Sequence, residues 1–167
     1  MELTELQSKE DWLELEKDIH SRWGLDVNVF NPDGFRITDF KRWANDLCPA
    51  IKAIDKGQSF ICAVAHMNVS AMARRSGKPV IEECDAGFVK IVVPIFVGEE
   101  FIGAVGACGY LPEDGEVDSF LINKITGMEE EKIERLAASA KTISRQEIDK
   151  MVAYVQQRID DIIKANA

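Results

Sequence analysis

The residues best suited to chemistry in this chain are its four cysteines, Cys48, Cys62, Cys84 and Cys108, which lie 14, 22 and 24 residues apart. None belongs to a C-x-x-C pair. Structural zinc sites usually draw ligands in pairs roughly two to four residues apart, so this spacing disfavours a zinc ribbon or finger but leaves room for a site assembled from distant segments. Each cysteine falls at the edge of an expected element: Cys48 in the LCP that opens a helix, Cys62 near a helix start, Cys84 and Cys108 at strand ends. His66 follows Cys62 by four residues and shares its helical face, which adds a fifth candidate ligand. Thiolates favour zinc, Cu(I) or an iron–sulfur cluster, so a metal or redox centre on Cys48, Cys62, Cys84 and Cys108 is one expectation. Four small, buried, inert thiols are the other.

The run FIGAVGACGY is the second feature. Gly103, Ala104, Gly106, Ala107 and Gly109 remove bulk from an expected strand, as happens where another backbone or a ligand approaches closely. Set against a helix bearing Phe60, Val64 and Met67, such a strand leaves an apolar cavity with a few polar tips, or else lets the helix pack tightly. The candidate ligand-binding residues are Phe60, Val64, His66, Met67, Phe88, Val105 and Gly106, with Asn68, Glu82, Glu83, Asp85 and Lys90 as further polar candidates. EECD before Gly87 also reads as a solvated turn.

Several elements must position these residues. Trp12, Leu15, Ile19 and Trp23 recur at helical spacing between a Ser8/Asp11 start and a Gly24 stop. Leu25, Val27 and Val29 alternate as a strand, NPDG supplies a turn, and Phe35 to Phe40 is expected to return as its hairpin partner. A short helix around Leu47, Ile51 and Ile54 ends at Gly57, and a longer one runs from about Ser59 to Ser76, with Phe60, Val64, Met67 and Ala71 on one face. Strands follow over Val80 to Glu83, Phe88 to Val97 and Phe101 to Tyr110, then helices over about Met128 to Ser139 and Arg145 to Ala165. The last carries a seam of Ile148, Met151, Val152, Val155, Ile159, Ile162 and Ile163 that must be buried on its own domain, a second copy or a neighbouring module. This order predicts an α+β fold, a PAS- or GAF-like five-stranded antiparallel sheet flanked by helices, with a long C-terminal helix.

Composition narrows the function. With 167 residues and 46% apolar content, one globular domain with its own core is expected, and disulfides are not needed to stabilise it. The net charge of −9 disfavours direct binding to nucleic acid or an anionic membrane. The acidic, alternating start and the lack of a long apolar run point to a cytoplasmic protein with reduced thiols. No P-loop, dinucleotide-type glycine pattern, G-x-S-x-G or H-E-x-x-H occurs, so an enzyme is not expected. The enzymatic alternative is thiol redox chemistry at Cys84 or Cys108, which requires an accessible thiol of low pKa.

The segments LCPAIKA, GQSFICAVAH, SGKPVIEECDAGFVKIVVPIFVGEEFIGAVGACGYLP and GEVDSFLINKITGM resemble the PocR sensory domain, a PAS-like ligand-binding family. The resemblance implies a sensor for a small organic molecule, with small hydrocarbon derivatives as proposed ligands, that acts in signal transduction or transcriptional regulation without turnover. It also associates positions equivalent to Cys48, Cys62 and Cys84 with the module, strengthening the metal or iron–sulfur alternative. The expected division is a sensory domain over residues 1–143 and a signalling or dimerisation helix over 144–167. That helix is expected to make a homodimer or to dock a signalling partner, since no helix-turn-helix, kinase or cyclase pattern is seen.

Overall fold

A computed structural model describes residues 1–167. In chain order it begins with α1 (Leu3–Leu6), α2 (Lys9–Trp23) and β1 (Asp26–Phe30). Next come α3 (Leu47–Lys52), α4 (Asp55–Gly57), a π-helical turn (Gln58–Ala63) and α5 (Val64–Ser76). The strands β2 (Val80–Glu83), β3 (Val89–Val97), β4 (Glu100–Cys108) and β5 (Leu111–Pro112) follow. The chain closes with α6 (Ser119–Thr126), α7 (Glu130–Ala137), β6 (Thr142–Ile143) and α8 (Arg145–Asn166).

The main sheet has four antiparallel strands in the order β1-β4-β3-β2, and β5 and β6 form a small parallel pair. The expected fifth strand over Phe35 to Phe40 is not formed. After β1 a single bridge, Phe30 to Arg36, closes the NPDG turn, in which the Asn31 side chain accepts from the backbone N–H groups of Asp33 and Phe35 at 3.0 Å. Beyond that bridge Thr38 turns inward to donate to Glu16, and β1 pairs with β4 instead. The segment is spent on a buried carboxylate rather than on a ladder.

Strand alternation divides the sheet into two chemically different faces. Val27, Val29, Ile91, Val93, Val105 and Ala107 point to one side and join Trp12, Leu15 and Ile19 of α2 in the largest core. α2 begins as expected, Ser8 accepting from the Asp11 N–H at 3.1 Å, and ends at a left-handed Gly24. On the opposite side the same strands present Asp26, Asn28, Phe30, Lys90, Gly106 and Cys108. A second core lies beyond the sheet's end, where α3, α6 and α7 gather Leu47, Ile51, Ile122 and Ile133 around Phe88. Helix α6 is additional to the elements the sequence predicts, although Asp118 accepting from the Leu121 N–H and a left-handed Gly127 are ordinary start and stop signals.

The seam of α8 is buried on its own domain. Ile148, Met151, Val155 and Ile159 sit in the large core, with Val152, Ile162 and Ile163 packed against it. Each fully buried aliphatic side chain contributes about 1.5–3 kcal/mol of apolar transfer, so α8 is integral to the fold. The apolar stripe offered as a reason for homodimerisation is therefore already covered. A polar tie adds to it: Arg158 donates to Asp18 of α2 at 2.6 Å, and the Tyr154 hydroxyl donates to the same carboxylate. No helix is long and apolar enough to cross a membrane.

Candidate functional site

The polar face of the sheet is the floor of a cavity of about 620 Å³, within the range of small-molecule sites. β1, β4 and β3 are in register, so that Asp26, Cys108 and Lys90 form one row across the floor, with Asn28 and Gly106 side by side in the next. The start of α5 and the π-helical turn supply His66, Met67, Gln58 and Cys62; α3 supplies Cys48 and Lys52; the segment after β1 supplies Phe35, Arg36 and Trp43. π-helical turns recur at functional sites because the extra residue re-aims side chains within a helix. Gly57, just before this one, is required by packing, since a Cβ there would lie 2.2 Å from the Ile51 carbonyl oxygen.

All four cysteines line this cavity, together with His66, Met67, Phe88 and Gly106. Three expected residues do not. Val105 points into the core on the far side of the sheet, because one position along a strand reverses the face. Phe60 and Val64 are 56% and 38% exposed, and Met67, at 64%, is only on the rim. α5 buries His66, Val69 and Ala73 instead. Of the further polar candidates, Lys90 lies in the floor, whereas Asn68, Glu82, Glu83 and Asp85 are exposed.

The glycines of FIGAVGACGY serve two purposes. A Cβ on Gly103 would meet the Phe30 carbonyl oxygen at 2.4 Å, and one on Gly109 the Ala44 Cβ at 2.7 Å, so these two permit close packing. A Cβ on Gly106 would instead meet the Phe30 ring at 2.8 Å and Lys90 Nζ at 3.2 Å, both lining the cavity.

Several buried polar atoms here have no partner within the protein: both ring nitrogens of His66 and Asp26 Oδ1. His66 stacks on Phe30 with ring centroids 3.7 Å apart. Burial, reinforced by the charges of Lys90, Arg36 and Lys52, pushes its pKa down to about 3, so the imidazole is neutral. Burial also pushes the Asp26 carboxyl up, against the pull of Arg36, Lys52 and Lys90. The Lys52 amine is lowered by burial and then by the like charge of Arg36. Sequence reasoning missed Asp26, Asn28, Arg36 and Lys52. The signal for the first two was present, since polar residues alternating with Val27 and Val29 mark the second face of a strand whose first face is core.

The thiols are free and half-buried, and the neighbouring sulfurs of Cys108 and Cys84 add to the upward shift of both Cys48 and Cys62. Loss of water is the larger effect: it raises Cys84 and Cys108, holds Cys48 well above the ordinary thiol value and brings Cys62 to about 11. At pH 8 Cys62 is then about one part in a thousand thiolate, which opposes a nucleophilic or redox-enzyme role. Iodoacetamide at that pH is expected to label all four at least about tenfold more slowly in the folded chain than in urea, read by mass spectrometry; one rapidly labelled thiol would restore the enzymatic alternative. No three of the His, Cys, Asp and Glu side chains are arranged to hold a metal ion.

A family model described as the sensory domain found in PocR matches residues 5–167. No curated protein and no solved structure matches the chain.

Proposed function

This chain belongs to the family of sensory domains found in PocR, and from that premise we propose that it binds a small organic molecule in the cavity between the sheet and α5, without turnover. The observation that carries the reading is the set of unpartnered polar atoms on Asp26 and His66. A buried polar group left unpaired costs about 1–3 kcal/mol, and a ligand that hydrogen-bonds it recovers that cost. Phe30, Phe88 and Trp43 offer apolar and aromatic walls for the rest of such a molecule.

The output follows from the sheet's two faces. Cavity residues alternate along β1, β3 and β4 with residues packed on α2 and α8, so a ligand that prefers one position of these strands biases the terminal helix. Only differential affinity for two such positions transmits a signal. On this reading residues 144–167 are the output element of the sensory unit, serving signal transduction or transcriptional regulation through a partner that reads the outer side of α8. A PAS- or GAF-like kinship would fit the same outline of a sheet with helices over a ligand.

The test is native mass spectrometry of the gently purified chain, with thermal unfolding in fractions of a low-molecular-weight cell extract. A bound mass, or a rise of roughly 5–10 °C for a ligand present at about 100 times its Kd, is expected. The bare chain mass together with no shift in any fraction would count against the reading.

A metal or iron–sulfur centre is the second reading, favoured by the presence of Cys48, Cys62, Cys84 and Cys108 in one cavity. Their present arrangement does not form a ligand set, so this reading requires the thiols to close in as they deprotonate. Anaerobic purification should then give a coloured or metal-containing protein whose thiols resist titration. Four titratable thiols on a metal-free chain would end it.

A further inference from the structure

Resting on the sensory reading, we infer that the molecule bound in this cavity is an organic anion, a carboxylate on a small apolar body. The chain as a whole carries −9, yet the cavity is lined by Arg36, Lys41, Lys52 and Lys90 against only Asp26 and Asp33. None of the four cations takes part in any of the protein's ion pairs. Lys90 is 6% exposed and lies over the Phe30 ring at 5.1 Å, and Lys52 lies over Trp43 at 5.7 Å.

Arg36, Lys52 and Lys90 share the lining of this one cavity with His66 and Asp26. Even with Asp26 ionised, the inner group keeps an excess of positive charge. Like charges held close in a partly dry site repel one another strongly, and an anion placed among them removes that repulsion while gaining charge-assisted hydrogen bonds. The neutral His66 ring adds one N–H donor for a carboxylate oxygen. The aromatic walls suit an apolar body rather than a second charge.

The experiment is isothermal titration of the full chain at low salt with benzoate and hexanoate, and with benzamide and hexanamide as neutral counterparts. The acids are expected to bind at least about tenfold more tightly than the amides. Lys90→Met and, on the more exposed segment, Arg36→Gln should each weaken the acids about tenfold and change the amides less than about twofold. Amides that bind as well as acids, or acid affinity unchanged in both variants, overturn the inference and leave the sensory reading standing. The same holds if none of the four probes binds while a cell-extract fraction still raises the unfolding temperature. Silence from both probes and extract defeats the two together.

Discussion

Replacing Gly106 with leucine is expected to weaken ligand binding about 100-fold or more, equivalent to ~2.7 kcal/mol, while the chain stays folded. A Cβ at this position would lie 2.8 Å from the edge of the Phe30 ring and 3.2 Å from Lys90 Nζ. Both are ends of side chains facing the cavity, so the backbone of β4 need not move. The cost falls on the ligand's space and on the stack of Phe30 against His66. Val105, one residue away, provides the contrast. Its side chain is buried among the α2 and α8 core, and Val105→Ala should cost about 2 kcal/mol of stability without changing affinity per folded molecule. Urea melts and ligand-induced thermal shifts on the same samples separate the two effects. Retained binding in Gly106→Leu would mean that the ligand does not rest on this part of the sheet.

That contrast also shows where the sequence was readable. The helix end at Gly24, the capping by Ser8 and the seam of α8 all follow from local chemistry, and all are present. The gathering of Cys48, Cys62, Cys84 and Cys108 around one cavity is legible in the sequence only as four element edges, because spacing along the chain does not fix distance between segments. Which residues of α5 face inward was not legible. Phe60, Val64 and Met67 form a better apolar stripe than His66, Val69 and Ala73, yet α5 buries the second set. Of that second set only His66 faces the cavity, while Val69 and Ala73 pack on Val92, Phe101 and Ala104 of the sheet. Small apolar residues take the contact face and the bulkier stripe is left outside it, whereas hydrophobic periodicity assumes that the most apolar face is the covered one. The missing strand at Phe35 to Phe40 has a similar origin. The NPDG turn implies a returning hairpin strand, whereas Thr38 and Phe40 are drawn to Glu16 and Asn28, a pairing between distant residues that no local pattern reveals.

Glu16 is the one side chain on which that arrangement turns, and Glu16→Ala is expected to destabilise the chain by about 3–5 kcal/mol. The carboxylate is fully buried on α2. It accepts from the Val29 N–H at 3.0 Å, from the Asn28 amide at 3.2 Å and from the Thr38 hydroxyl, so it fastens β1 and the following segment to the helix. Alanine leaves these donors without an acceptor; Asn28, which also donates to the Phe40 carbonyl at 2.8 Å, loses only part of its bonding. Glu16→Gln keeps an acceptor oxygen, and the Thr38 hydroxyl can rotate to accept from the new amide, so its cost should stay near 1 kcal/mol. Burial raises the Glu16 carboxyl above the ordinary range despite the bonds from Thr38, Val29 and Asn28. A carboxyl raised on folding binds its proton more tightly in the folded state, so its contribution is full below the unfolded pKa and declines as pH rises through the raised folded value. Glu16→Gln should remove that decline, giving a flatter stability profile in urea melts above the ordinary carboxylate range. Because Asn28 also lines the cavity, Glu16→Ala should weaken ligand binding as well, by loosening the floor rather than filling it. Equal and small losses in the two variants would show that the buried carboxylate is not the fastening point between α2 and the sheet.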